Sequence, residues 1–492
     1  MDKISTNGLR FVDDYGRERI FNGINIVDKS GGFDGTAEEY IKNWDFGVLE
    51  SVKKRGMNLI RLGFTWALVE PKPGVYNEAF LDAVGLILDK CAQLGIYAYL
   101  DMHQDLYSGA GGYGGDGAPA WACLKGGYEF KPAKFVWAEG YFWGRAVQNC
   151  FDSFWADKKV DGKGLIEYYC DMWKHVTQRF ADKPALFGFD PMNEPYPGSD
   201  GGKVFRKLVA KTVRVTLFDR QLKRTKMLGD LLHKSRRPRL LDHYTGDVFR
   251  KITAAGDDLI RKFDLERYSP FLNRVSSAIR EVTPGGIVFM ENCYYSNLGI
   301  PCSTPPVEVG GMREPLQCFE PHAYDFMVDT PSYKFASNDR ISAIFNEHRR
   351  TQVRLGVPVV VGEWGGYSEG TEWFPHVKHI LAIFDANKWS NTYWAYFKGL
   401  FETPLINVLD RPYPAAVPGE IVSYRHDREE ESFSLCFEQT EPCEAPVEIY
   451  LHKPAKRIET GFRTETADTS GFGGALLKVY SEPGRHLIKI TF

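Results

Sequence analysis

Eight short runs rich in β-branched and aromatic residues punctuate the first 410 positions, and stretches with helical spacing of apolar residues lie between them. The runs are RIFNGIN, MNLIRLGF, IYAYLDMH, LFGFDPMNE, GIVFMEN, QCFEPHAY, VPVVVGEW and NTYWAY. This alternation constrains the chain strongly. A strand followed by a helical crossover pairs with the next strand in parallel, and eight such units close into a ring with helices outside. The predicted fold is α/β: a (β/α)8 TIM barrel over residues 1–410. In such a barrel the side chains at the strand C-termini meet on one face. Most of the runs carry, at or near their ends, polar residues that would not help a core.

The helical stretches include FGVLESVKKRG and EAFLDAVGLILDKCAQLG, the second closed by Gly95 in the position of a C-cap. One connection is far longer than the rest. It lies between the fourth and fifth runs, about 199–285, and is read as a basic insertion forming a lid or binding element. The barrel pattern stops near Asp410, where Arg411-Pro412-Tyr413-Pro414 reads as an irregular connection. Beyond it, SFSLCFEQ, VEIYLHK, LLKVYS and HLIKITF alternate in short runs between turn residues, so 411–492 is expected to be an all-β sandwich domain.

Composition narrows the class. A net charge of −3 rules out a generally basic nucleic-acid binder, and no nucleic-acid partner is expected. The N-terminus lacks the basic and apolar regions of a secretory signal, and no window approaches a membrane span. The nine cysteines are odd in number, lack a CxxC pair and fit no zinc spacing. A reduced, cytoplasmic protein is therefore expected, with one bridge among Cys293, Cys302 and Cys318 left open.

The strand ends suggest the chemistry. Glu194 closes the fourth run and Glu363 the seventh, which would set two carboxylates across the barrel mouth. That is the minimum for glycoside hydrolysis: one group protonates the leaving oxygen, and the other attacks or activates water. Asn193, beside the first carboxylate, could bond the sugar hydroxyl next to the reacting carbon. Pro195 and Pro197 should hold that turn stiff.

On these motifs the chain resembles glycoside hydrolase family 5. NEP and GEWG match the family's acid/base and nucleophile motifs on strands four and seven. Arg61 in IRLGF, His103 in DMHQD, His322 and Tyr324 in PHAY, and Trp394 in TYWAY match other strand ends. FNGINIVDKS, LDMHQDLYSGAGGYGGDGAPAWA and RPYPAAVPG are similar to the endoglycoceramidase-related members, which include glucosylceramide and steryl glucoside hydrolases. The resemblance implies a retaining β-glycosidase that cleaves a glucose-type sugar from a lipid aglycone. Glu363 would be nucleophile and Glu194 acid/base, with carboxyl groups about 5–5.5 Å apart and the pKa of Glu194 raised by its neighbour's negative charge. Lys29, Arg61, His103, Asp105, Asn193, His322, Tyr324 and Trp394 would bind substrate, with Tyr324 bonding the nucleophile and Trp394 flooring the sugar site. No cofactor and no metal are implied. A metal held by His103, Asp105 and His322 is disfavoured by the absence of clustered ligand spacing. Alternatives stay open: a steryl or soluble aryl/flavonoid β-glucosidase, an endo-β-glucanase, or a non-catalytic carbohydrate-binding protein.

Two further segments stand out. The glycines from Gly109 to Gly117 lack the Gly-Lys-Ser/Thr ending of a phosphate loop and are read as a flexible lip. Between Lys203 and Arg239 there are thirteen Lys and Arg against two Asp. This segment is either a solvated helical face or a peripheral contact with an anionic membrane.

Overall fold

The structure, a computed structural model, describes all residues except 111–112, 135, 329, 331, 367–369 and 469–473. Each of the eight runs overlaps a strand: β1 Asn22–Asp28, β2 Leu59–Thr65, β3 Tyr97–His103, β4 Leu186–Asp190, β5 Ile287–Glu291, β6 Gln317–Glu320, β7 Val360–Val361 and β8 Ser390–Tyr393. They form one sheet in the order β6-β5-β4-β3-β2-β1-β8-β7, with neighbours parallel. Parallel bridges Phe319–Val359 and His322–Glu363 bring β6 against β7 and close the ring.

Alternation with period two sorts the residues between the barrel interior and the helical shell. Leu59, Tyr97, Tyr99, Phe187, Ile287, Phe289, Cys318 and Val360 fill the lower interior as one apolar cluster. Phe289 stacks on Tyr99 there, with ring centroids 4.1 Å apart. Two residues further along the same strands stand Arg61, Asp101, Glu291 and Glu320, all fully buried. One more step along β3 and β6 reaches His103 and His322. The interior therefore grades from an apolar plug through a charged layer to the polar mouth. Two glycines make room for that layer: a Cβ on Gly63 would lie 2.6 Å from an Asp101 oxygen, and one on Gly362 would collide with Glu320.

The helices follow the apolar spacing. Glu78–Leu94 is capped by the Asn77 side chain at its start and, as expected, by Gly95 (φ 67°) at its end. The long connection is helical, with Ser199–Phe218, Arg224–Leu232 and Gly246–Thr253 preceding the barrel helix Ser269–Arg280. The three middle segments share a small core of Val215, Leu222, Met227, Tyr244, Val248 and Ile252.

Beyond the barrel two antiparallel sheets face one another across a core that includes Val417, Leu435, Phe437, Ile449, Leu477 and Ile488. The chain's first residues belong here and not to the barrel. Ser5–Asn7, Arg10–Val12 and Arg17–Arg19 extend the seven-stranded sheet, where Arg19 pairs with Ala416. Phe11 of this extension packs on Phe21 and Phe187 at the foot of the barrel. The RPYP stretch is also more regular than expected: Tyr413–Pro418 is a strand, and a register shift after Pro414 accommodates the missing N–H. None of the nine cysteines forms a disulfide, including Cys293, Cys302 and Cys318.

Candidate active site

The strand C-termini open into a cavity of about 500 Å³. Of the sequence-predicted residues, Glu194, Glu363, Lys29, His103, Asp105, Asn193, Tyr324 and Trp394 line it. Arg61 and His322 do not. Both lie just beneath the wall, occupied by carboxylates, and neither side chain is exposed in the cavity.

Glu194 follows β4 with φ at 42°, a left-handed conformation that a non-glycine residue adopts only when its surroundings hold it. Its amide donates to Glu291 Oε2 at 2.6 Å. One carboxylate oxygen, Oε1, accepts from Asn297 Nδ2 at 2.5 Å and lies 3.1 Å from His322 Nδ1. Burial first, then the charge of Asp105, raises the Glu194 pKa to about 8. The expected rise is present, but desolvation is its main cause. Glu363 accepts from Arg61 Nη1 at 2.7 Å and from the Tyr324 hydroxyl at 3.0 Å, the contact expected of Tyr324. One oxygen each of Glu194 and Glu363 lies within 4.8 Å of the other, with an His322 nitrogen in the same group. Burial depresses the His322 pKa to about 3, so this ring is neutral between the two carboxylates.

Lys29, at the end of the first strand unit, forms an ion pair with Asp105 and lies 3.6 Å from Asp116. Its ammonium also stands 4.9 Å from the Trp394 ring centroid. Burial opposes ionisation of Asp105, yet Lys29 and His103 together hold its pKa below the usual range. Burial likewise opposes protonation of His103, but Asp101, 2.8 Å from Nδ1, raises its pKa to about 10. His103 Nε2 has no hydrogen-bond partner among the described residues, and the ring stacks on Trp394 at 5.3 Å. Asn193 accepts from Arg61 at 2.9 Å and donates to the Gln104 carbonyl at 2.9 Å. Gln104 in turn donates to the carbonyls of Asn193 and Glu194, so HQD fixes the Glu194 turn as well as lining the cavity.

Among the described residues four sets of side chains bring possible metal-ligand atoms together: His103, Asp105 and Asp116; Glu194, His322 and Glu363; Glu291, Glu320 and His322; and Asp101, Asp190 and Glu291. The Lys29 ammonium already neutralises the first, and hydrogen bonds hold the second. His322 does not join His103 and Asp105 in one set.

Sequence reasoning missed the support beneath the site. Arg61 is within 3.1 Å of Asp101, Asp190, Glu291 and Glu320 as well as bonding Glu363. Burial, then Asp190, raises Glu291 and Glu320 well above the carboxylate range. The signal was present: LDMH, GFDP, FMEN and CFEP each place an acid inside an otherwise apolar strand. Asn297 carried no such signal. It sits in the short helix Tyr294–Leu298, and only folding brings it to Glu194. In the expected glycine lip, Gly111 and Gly112 lie outside the described residues. Asp116, from that run, bonds the Asp105 amide at 3.0 Å.

The far wall of the cavity is apolar, with Trp137, Phe142, Tyr294, Leu298 and Phe326.

Comparison with known proteins bears on the family and the fold. The cellulase (glycosyl hydrolase family 5) profile matches residues 29–221 and 266–398, and the glycoside hydrolase family 5 C-terminal domain matches 411–486. The gap, 222–265, falls within the long connection. An endoglycoceramidase of Cyanea nozakii is 32% identical over 212 residues, 38% of this chain and 41% of that protein. A glucosylceramidase of Rhizopus delemar is 25% identical over 252 residues, 40% of this chain and 36% of that protein. The alignments thus span about two fifths of these relatives. The solved structure of endo-glycoceramidase II from Rhodococcus sp. superposes with a TM-score of 0.73 over 99% of both chains at 23% identity, a likeness of fold.

Proposed function

This chain belongs to glycoside hydrolase family 5, and from that premise we propose that it hydrolyses, with retention, the β-glucosidic bond between a glucose-type sugar and a lipid aglycone. The observation that carries the reading is the Glu194–Glu363 pair, with oxygens within 4.8 Å of each other. That proximity suits direct attack and leaves little room for an intervening water. Glu363, oriented by Arg61 and Tyr324, attacks the anomeric carbon. Glu194, protonated below about pH 8, gives its proton to the aglycone oxygen. The glycosyl–Glu363 ester is then cleaved by water, from which the Glu194 carboxylate takes a proton, and both groups return to their starting states.

Asp105, Lys29 and His103 Nε2 supply charged and polar contacts for hydroxyls of the sugar, with Trp394 beneath its apolar face. Asn193 keeps its second amide hydrogen for the hydroxyl beside the reacting carbon. Arg61 and His322 act from below through Glu363 and Glu194. The apolar far wall supports a lipid aglycone, in keeping with the names of the relatives. The basic segment 203–239 would meet the anionic surface of a membrane carrying such a substrate.

Product analysis with glucosylceramide, lactosylceramide and a steryl glucoside side by side tests the proposal. Release of ceramide with a first-formed β-anomer of the sugar is expected. Turnover of aryl glucosides alone would remove the lipid from it, and an α-anomer would remove retention.

A further inference from the structure

The helix Ser199–Phe218 begins five residues after Glu194 and carries apolar side chains every fourth position: Phe205, Val209, Val213 and Leu217. That spacing places them along one line of the helix surface, extending about 18 Å at 1.5 Å per residue. The line starts at the cavity. Phe205 stacks on Phe142, a residue of the apolar wall, with centroids 4.3 Å apart, and Trp143 packs edge-on against it while remaining 55% exposed. From there the line emerges from the protein: Val209, Val213 and Leu217 are 48%, 55% and 55% exposed, and Phe218 is 73% exposed. The next helix, Arg224–Leu232, adds Leu228, Leu231 and Leu232, also exposed. The inward residues Val215, Leu222 and Met227 are already packed, so the exposed set is surplus to the fold.

Isolated apolar side chains on a surface need no explanation, whereas seven within 24 residues, continuous with a substrate cavity, do. The charge around them selects the partner. Arg206 and Arg214 lie three residues before Val209 and Leu217, hence beside them on the helix, and all but two of the fifteen charged side chains between Lys203 and Arg239 are cationic. A second copy of this surface would be repelled, and an apolar protein groove would leave the cations unpaired. An anionic bilayer accepts both features: headgroups pair with the cations while the apolar line enters the boundary with the acyl chains. Among the described residues no helix is long and apolar enough to cross a membrane.

We infer that the line from Phe205 to Phe218, with the leucines of the following helix, is an insertion edge that seats the cavity mouth on an anionic lipid bilayer. This deepens the proposal of a lipid-linked substrate and rests on it for its purpose, but binding itself requires no turnover. A lipid leaving the bilayer along this edge would pass from acyl chains to Phe205 and Phe142 without crossing water.

The test is co-sedimentation with vesicles of phosphatidylcholine plus phosphatidylserine and of phosphatidylcholine alone, both free of glycolipid. The wild-type chain should bind the anionic vesicles and bind the neutral ones far more weakly. Val213→Ser/Leu217→Ser/Phe218→Ser should reduce partitioning into anionic vesicles by at least about tenfold, with turnover of a soluble aryl β-glucoside unchanged. Lys207→Glu/Arg214→Glu, which keeps the apolar line, should lose binding in low salt by a similar factor. Wild-type binding that is absent, or retained in both variants, overturns the inference. So does a wild-type dimer in sedimentation equilibrium that the serine variant dissolves, because the edge would then be covered by a second copy. Because no substrate is present, vesicle binding without glycolipid hydrolysis would refute the proposed reaction and leave the docking edge standing.

Discussion

Glu194 is held between opposed influences that single substitutions can separate. Burial and the Asp105 charge raise its pKa to about 8, while the bond from Asn297 favours the carboxylate. An acid catalyst works only when protonated, so kcat/KM should fall above about pH 8. Asn297→Ala removes a hydrogen bond to the charged form, a bond of a kind worth roughly 1.5–3 kcal/mol. At 1.36 kcal/mol per pH unit, that moves the alkaline limb upward by about one to two pH units. Asp105→Asn removes the negative charge that opposes ionisation and should move the limb the other way, downward by about one pH unit. The assay is kcat/KM for a soluble aryl β-glucoside across the alkaline range, and its readout is the position of the limb. Asp105→Asn will also lower the plateau, since this side chain faces the sugar site, but loss of a contact does not displace the limb. Limbs that shift in the same direction in both variants, or in neither, would mean that a group other than Glu194 sets the alkaline side.

Glu363→Gln should abolish turnover while the circular dichroism spectrum and thermal midpoint stay close to wild type. Glu194→Ala should keep the first step on substrates with good leaving groups and recover turnover with azide, giving a β-glycosyl azide by NMR. Glu194→Gln should raise the thermal midpoint at neutral pH. Between pH 4.5 and about 8 the unfolded chain gives up a proton that the folded chain keeps, so wild-type stability falls across that window, and the gap between the two proteins should widen as pH rises and level off above it. Arg61→Met leaves buried carboxylates without their cation and should cost on the order of 3–5 kcal/mol in denaturant unfolding, enough to leave little folded protein.

Local pattern made the barrel legible. Each strand advertises itself within six to nine residues, by β-branched and aromatic composition with polar residues at or near most ends, and the connecting helices carry their own caps, as at Asn77 and Gly95. The N-terminal strands were illegible for the opposite reason. Three residues each, they pair with one another, and only Arg17–Arg19 reaches the C-terminal sheet, at Ala416–Pro418; nothing within Ser5–Arg19 announces a neighbour so distant in sequence. RPYP was misread because proline argues against a strand until a register shift is known to absorb it.

The site divides along the same physical line. Residues that present themselves at the mouth, such as Glu194, Glu363, His103 and Trp394, could be placed from strand-end position, because a polar group there needs no further partner to make sense. Arg61 could be identified but not located in its role. A guanidinium on an inward-facing strand position serves either the cavity or the barrel interior, and the choice was made by four acids on β3, β4, β5 and β6 that converge only on closure. Those acids in turn explain why the mouth can be rigid. Glu291 bonds both Arg61 and the amide of Glu194, so the layer that holds Glu363 from below also holds Glu194 in its left-handed turn. One buried cation thereby links both carboxylates of the cavity. The cost is a barrel interior whose stability depends on several carboxyl groups remaining paired or protonated, which an apolar interior would have avoided.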